Sequence, residues 1–394
     1  MQHLGLKTVV GVGILALGLL GMMANRVDWR LWTRSLSYPD RPITSVDWYQ
    51  PRYPVPGNPT PPPWTVVAPM DAPGELSPAV LKEVAASAET QNSMALLVLH
   101  RDRLVFERYW QGYGRDSPVN GMSMTKNLLG LMVGVALAEG HITSLEDRVG
   151  DYLPEWAEDP RGDITLADLL YMTSGLRNDD RTDSLSSDLV KLYGGSNLRP
   201  LTLSIPQDQP PGQVYEYNNV NSQLLAFALE AATGESFGDY LASRLWQPLG
   251  AEDSFLWMDR PGGSAKAFCC FFATATDWLR VGHMLLRQGK VGDKSVIPAD
   301  WINQIRQESP LEPTYGMHLW IKARTPDYPN VKSASSAPFL DPEAFYLDGR
   351  HHQKVYVLPS YDLVIVRLGE EPPAWDDSVI PNALIKDLAR HASP

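Results

Sequence analysis

Ser123-Met-Thr-Lys-Asn-Leu-Leu-Gly-Leu-Met-Val-Gly-Val-Ala-Leu-Ala-Glu139 is the stretch on which the fold turns. Leu128, Leu129, Leu131, Met132, Val133, Val135 and Leu137 spread apolar surface over nearly every side, and Gly140 follows as a natural stop, so the spacing predicts a helix buried all round. A helix of that kind needs a large core about it. Its opening, Ser-Met-Thr-Lys, is polar where the rest is not, and that is the first candidate for chemistry. Upstream, Ala95-Leu-Leu-Val-Leu-His100 and Leu104-Val-Phe-Glu-Arg-Tyr109 flank a tight turn at 101–103 and predict a hairpin. Downstream, Lys354-Val-Tyr-Val-Leu358 and Leu363-Val-Ile-Val-Arg367 flank Pro359-Ser-Tyr-Asp362 and predict a second one. Between them, the stretches starting at Ile164 and Gln223 read as helices. Strands at both ends with helices between imply a sheet built from the two ends and an inserted all-helical lobe, a mixed α/β (α+β) arrangement.

The remainder of the chain sets the context. Among 394 residues, 34 Lys and Arg face 46 Asp and Glu, a net charge of −12, and no basic tract is present to neutralise phosphates, which sets nucleic acid aside as a partner. The two cysteines, Cys269 and Cys270, are adjacent, too few for a disulfide framework or a four-ligand zinc site, and read as buried and inert. Residues 1–24 carry an uncharged run, Thr8–Ala24, long enough for a thin membrane span; Met22 stands where a cleavage site wants a small residue, so the run reads as an uncleaved anchor. Trp29 and Trp32, interleaved with Arg26, Arg30 and Arg34, suit an interfacial belt. Residues 51–78 hold ten prolines, so 25–75 reads as a juxtamembrane, proline-rich linker and 76–394 as the catalytic domain. The expected location is membrane-anchored on the extracytoplasmic or periplasmic face, or secreted if the run is cleaved.

Three constellations bear chemistry. Ser123 and Lys126, at i and i+3, share a helix face with Cβ atoms about 5–6 Å apart. At the helix start the serine meets the positive end of the dipole, while burial disfavours an ammonium and leaves a usable amine base. The bland reading of the same pair is a helix cap and a lysine snorkelling from the first turn. Tyr217-Asn218-Asn219, ahead of an apolar helix, brings a phenol and an amide two residues apart; its echo at Tyr328-Pro329-Asn330 is a turn. Leu347-Asp348-Gly349-Arg350-His351-His352-Gln353 lies between strands, where Gly349 lets backbone approach a ligand, or simply marks a bend. His351 and His352, adjacent on a strand, would point to opposite faces, so no metal is expected. Gly121-Met-Ser123-Met-Thr lacks the second glycine of a nucleophile elbow.

Ser-x-x-Lys, then Tyr-x-Asn, then a glycine-bearing strand, together with Ile164-Thr-Leu-Ala-Asp-Leu-Leu-Tyr-Met-Thr-Ser-Gly-Leu176 and Leu245-Trp-Gln-Pro-Leu-Gly-Ala251, resembles the penicillin-recognising serine hydrolases. Within them the chain is most similar to the class C β-lactamase-related group, which includes esterases and 6-aminohexanoate-dimer hydrolase. The resemblance implies a β-lactamase/transpeptidase-like fold, an antiparallel sheet flanked by helices plus an all-helical lobe, and cleavage of a small ester or amide without metal or cofactor. It implies Ser123 as nucleophile, Lys126 and Tyr217 sharing acid and base duty, Asn219 orienting the substrate or the lysine, and an oxyanion hole from the N–H groups of Ser123 and of Arg350, just after Gly349. Relatives that act on β-lactams or D,D-peptides carry Lys-Thr-Gly where this chain has Leu347-Asp348-Gly349. That counts against the β-lactamase or D,D-peptidase alternative, although Arg350 or His351 offers positive charge nearby. A non-catalytic ligand-binding or sensor module of the same fold is the further alternative. Replacing Ser123 or Lys126 by alanine is expected to cost several orders of magnitude in rate, whereas Lys354→Ala, outside the motifs, is expected to leave the rate nearly unchanged.

Overall fold

In a computed structural model, which describes residues 28–58 and 75–391, eleven strands are seen among the described residues. They are β1 (Arg52–Val55), β2 (Ser93–His100), β3 (Arg103–Tyr109), β4 (Val119–Asn120), β5 (Ser254–Trp257), β6 (Phe271–Ala273), β7 (Lys290–Val291), β8 (Lys294–Ser295), β9 (Phe345–Gly349), β10 (Gln353–Leu358) and β11 (Leu363–Gly369). The two hairpins read from the sequence join through β2 and β11 into one antiparallel sheet of order β3-β2-β11-β10-β9, with Val98 opposite Ile365 at the seam. Period-two alternation sends Ala95, Leu97 and Leu99 to one core and Leu96 and Val98 to the other. Both faces are covered: the helix Ala275–Leu286 packs on the first, and the helices Pro78–Thr90 and Val379–His391 on the second.

The stretch Met124–Glu139 is the central helix, stopped by left-handed Gly140 at φ 78°. Every residue from Met124 to Ala136 is buried, against the helix Asn219–Thr233, the helix Ala299–Ile305 and β9. Two glycines make this possible. Trp301 lies so close that a Cβ on Gly134 would come within 2.0 Å of its ring, and the Trp301 indole donates to the Gly130 carbonyl at 3.0 Å. The all-helical lobe, residues 149 to 246, is inserted between the two ends that make the sheet. The expected mixed architecture is therefore the observed one.

Residues 28–58 depart from the linker reading. The helix Trp29–Leu36 docks through Leu31 and Arg34, whose guanidinium donates to the carbonyls of Gly194 (3.0 Å), Gly195 (3.1 Å) and Gln50 (2.8 Å). Ile43, Tyr49 and Val55 are fully buried, and β1 pairs with β5 at the edge of the four-stranded sheet β1-β5-β6-β4. Proline content signals extended backbone lacking donors, and an edge strand is where a sheet accepts that; Pro54 of β1 is exposed. The apolar run Thr8–Ala24 and Pro61–Pro63 lie outside the described residues. Among those described, no helix is long and apolar enough to cross a membrane.

Candidate active site

The central helix opens under constraint. Met122, just before it, is held left-handed at φ 48°, a conformation that costs a bulky residue on the order of 1–3 kcal/mol. The Asn120 Oδ1 accepts its N–H at 2.9 Å, and Thr125 Oγ1 donates to its carbonyl at 2.8 Å. This bend delivers Ser123 as the N-cap residue with φ −66° and ψ −7°. Its side chain makes no capping bond. It is instead partly exposed at the mouth of an otherwise buried helix, with Lys126 Nζ 2.9 Å from its oxygen. The cap reading of Ser123 thus fails on geometry.

Lys126 is 1% exposed. Its amine reaches Ser123 Oγ, Asn219 Oδ1 at 2.8 Å and the Phe268 carbonyl at 2.6 Å. Burial pulls its pKa down from 10.5 to about 7, with the Asp348 carboxylate pulling the other way. Two of the three neighbours decide how the neutral amine is oriented. Asn219 Oδ1 and the Phe268 carbonyl can only accept, so they take its two N–H groups and leave the lone pair facing the Ser123 hydroxyl. Asn219 thus contacts the lysine. Phe268 precedes Cys269 and Cys270, which the structure joins in a disulfide rather than leaving as free thiols. Beyond them the Phe271 N–H donates to Thr125 Oγ1 at 3.1 Å, so this short stretch grips the first turn of the central helix at both ends.

Tyr217 closes the opposite side. The Lys126 amine lies 5.1 Å from its ring centre, and its hydroxyl contacts Ser123. The ring stacks on Trp320 at 5.8 Å and meets the edge of Tyr315 at 6.0 Å. Exclusion of water by these neighbours raises the phenol above its ordinary pKa, and the Ser123 contact lowers it by less. The phenol is thus a proton donor at neutral pH. Asn218, between the two site residues, is the clamp of the turn: its side chain donates to the Leu176 and Arg177 carbonyls at 3.0 and 3.1 Å and caps the next helix at Val220 N.

The third constellation arrives on β9. A Cβ on Gly349 would lie 2.3 Å from the Gly121 carbonyl, so only glycine lets this strand close on the segment before Ser123. That closeness brings the turn beginning at Arg350 to the Ser123 end of the helix. Alternation along β9 then separates its neighbours. Leu347 is fully buried in the core shared with the central helix, while Asp348 faces Arg324 and Lys354. Lys354 Nζ sits 3.0 Å from Asp348 and 2.8 Å from Asp377, and Arg324 joins both carboxylates. Lys354 is fully buried, because both faces of the sheet are covered and its strand position gives it no route to water, so its replacement bears on stability. The Arg324 guanidinium lies over Trp320 at 4.4 Å, so the cluster leans on the ring that stacks on Tyr217.

The structure brings Ser123, Lys126, Tyr217 and Asn219 into contact around one hydroxyl, with Gly349 and Arg350 beside it. Asp179 pairs with Arg181 at 2.7 Å and Asp180 is exposed, both in the loop before the helix Asp188–Gly194. His351 pairs with Glu371 and His352 stands 3.9 Å from Asp377, and no group of three His, Cys, Asp or Glu among the described residues is placed to hold a metal. Sequence reasoning missed the Phe268 carbonyl and Arg324. The first is a backbone acceptor without a side-chain signature, and the second reaches in from an irregular segment.

A family model described as Beta-lactamase matches residues 79–389. Among curated relatives, the 6-aminohexanoate-dimer hydrolase of Paenarthrobacter ureafaciens is 28% identical over 229 residues, 54% of this chain and 56% of that one. The chain therefore spans about half the length of that relative. Among solved structures, a Bacillus anthracis protein provisionally named a 6-aminohexanoate-dimer hydrolase is 23% identical, with a TM-score of 0.71 over 89% of this chain and 93% of that one. EstCE1, described as a hydrolase with promiscuous acyltransferase activity, is 15% identical with a TM-score of 0.60 over 79% of this chain and 97% of that one. The penicillin binding protein of Bacillus halodurans is 16% identical with a TM-score of 0.59 over 78% of this chain and 99% of that one. At these identities the structural likenesses speak to the fold alone.

Proposed function

This chain belongs to the beta-lactamase family, and from that premise we propose that it is a serine hydrolase that cleaves a small ester or amide through an acyl-enzyme on Ser123. The observation that carries the reading is the orientation of Lys126: two acceptors consume its N–H groups and aim its lone pair at the Ser123 hydroxyl. In the first half-reaction Lys126 takes the Ser123 proton as Oγ bonds to the substrate carbonyl carbon. The oxyanion that forms is held by the N–H groups of Ser123, in the first turn where helix donors lack internal partners, and of Arg350. Tyr217, a phenol at neutral pH that touches Ser123, gives its proton to the departing alcohol or amine and is recharged from Lys126. Water then attacks the acyl-enzyme with the same groups in reversed roles, returning Ser123 and releasing the acid.

The β-lactam alternative has less support. Leu347, at the position of the expected cation, points into the core, and the nearby cation Arg324 is engaged by Asp348 and Asp377. The test mixes the full chain with p-nitrophenyl acetate and, separately, nitrocefin, and follows release kinetics and intact mass for wild type and Ser123→Ala. The proposal expects a burst and a mass adduct on Ser123 with the ester, both lost in Ser123→Ala, and no nitrocefin turnover. Nitrocefin turnover would restore the β-lactamase reading, and silence with both in a folded protein would favour a binding module.

For location, we propose attachment to a membrane by the run Thr8–Ala24. Supporting this, Trp29 and Trp32 of the first described helix are 61% and 47% exposed, as aromatic residues at a lipid interface would be. The full chain should sediment with membranes and be released by detergent but not by salt; release by salt would refute the attachment.

A further inference from the structure

A chamber of about 330 Å³ reaches the site at Met122 and Arg350; its lining is mainly apolar, with Tyr38, Trp48 and Tyr193, and also carries Asp183. Its volume is at the lower end of the roughly 300–1,000 Å³ typical of small-molecule pockets. Two of its walls belong to chain segments that Arg34 ties together: the stretch 34–48 and the helix Asp188–Gly194. The polar atoms of the aromatic wall are already engaged. The Trp48 indole N–H donates to Ser37 Oγ at 3.0 Å, and the Tyr193 hydroxyl lies 3.0 Å from that of Tyr49 and is bonded to Tyr38. On this wall, ring edges and aliphatic carbons are what remains to meet a ligand, while Arg350 and Asp183 bring charge elsewhere in the lining. Met122 and Arg350 flank the point where Gly349 meets Gly121, and this places the chamber beside the proposed oxyanion donors.

We propose, on the basis of the acyl-transfer reading above, that this chamber holds an unbranched apolar arm of the substrate on one side of the scissile bond, making the natural substrate an ester or amide with a medium-length hydrocarbon chain. The residues Tyr38 and Trp48 are thereby specificity-determining, although they belong to the segment whose proline content suggested a linker.

The experiment compares kcat/KM for two series on the full-length enzyme: p-nitrophenyl esters from acetate to octanoate, and alkyl acetates from ethyl to octyl. The proposal expects a rise in one series of about fourfold per methylene, the worth of burying a CH₂, until the chamber is full. Ser35→Trp, which projects a ring into the chamber from an exposed helix position, should lower the octyl-to-shortest ratio in that series by on the order of tenfold, roughly two buried methylenes. Arg30→Trp, on the outer face of the same helix, should leave the ratio at its wild-type value. In Ser123→Ala, calorimetric binding of the preferred octyl ester should be tighter than that of its shortest homologue, and Ser35→Trp should abolish the difference. Turnover with a Ser123 adduct but no chain-length gradient in either series, or a gradient untouched by Ser35→Trp, overturns the chamber assignment and leaves the acyl-transfer reading standing. No adduct with any ester, together with equal binding of long and short esters, overturns both.

Discussion

Replacing Lys126 by methionine separates what the buried amine costs the fold from what it does in the reaction. In an unfolded chain the ammonium loses its proton near pH 10.5, whereas burial brings that transition to about 7 in the folded protein. Between those values the unfolded state holds a proton that the folded state has released, so wild-type stability rises with pH. The slope is about 1.4 kcal/mol per pH unit, and across the whole window the amount is on the order of 5 kcal/mol. Below pH 7 both states are protonated and the full penalty of the buried charge is present. Above 10.5 both are neutral and it is gone. Lys126→Met has no such group, and the titration of the equally buried Lys266 is common to both proteins. The orphaned Phe268 carbonyl and Asn219 amide add an offset that does not vary with pH. Urea unfolding of both proteins from pH 6 to pH 10, extrapolated linearly, should therefore give stability curves that run parallel below pH 7 and converge or cross above it, wild type gaining on the variant. Curves parallel throughout would mean that Lys126 keeps an ordinary pKa and is not the base. The same shift predicts that kcat/KM rises with pH through about 7 and levels off.

Two further outcomes rest on packing and charge. Gly134→Ala improves helix propensity by up to about 1 kcal/mol but drives a methyl into Trp301, so thermal denaturation should show a net loss of roughly 1–3 kcal/mol; an unchanged or raised Tm would refute the contact. Asp377→Ala leaves Lys354 and Arg324 buried beside only Asp348, and denaturant titration should show a loss of about 3–5 kcal/mol, a change under 1 kcal/mol being the refuting result.

Much of the fold was legible because the signals were local. The hairpins of β2–β3 and β10–β11 alternate with period two, and the central helix is apolar all round and ends at Gly140, so each could be read within its own window. Ser123 and Lys126 were legible for the same reason, one helical turn apart. What brings Asn219 and the Phe268 carbonyl to Lys126 is long-range packing, and no local window contains it. The family resemblance supplied Asn219, but a carbonyl has no residue type by which to be found. The burial of Lys354 was not legible because an alternating strand suggests one wet face, and here helices cover both. Residues 28–58 misled because proline density looks alike in a linker and in an edge strand; only Ile43, Tyr49 and Val55, spaced between the prolines, hint that the stretch has a core to complete.

The segment 28–58 has a consequence for descent. The family model's match begins at residue 79, and Tyr38 and Trp48, which line the chamber, stand before it. On the proposed reading, reaction and selectivity reside in separate parts of the chain. The helix that follows Ser123 is wedged by Trp301, while the preceding segment is tied by Arg34, by Glu370 on Ile43 and Thr44, by the Ile43 carbonyl on the Asn120 N–H and by a short edge pairing. Paralogues alike over the common stretch and unlike before it would keep one chemistry and sort themselves by diet, and grafting residues 28–58 from one to another would exchange their preferences.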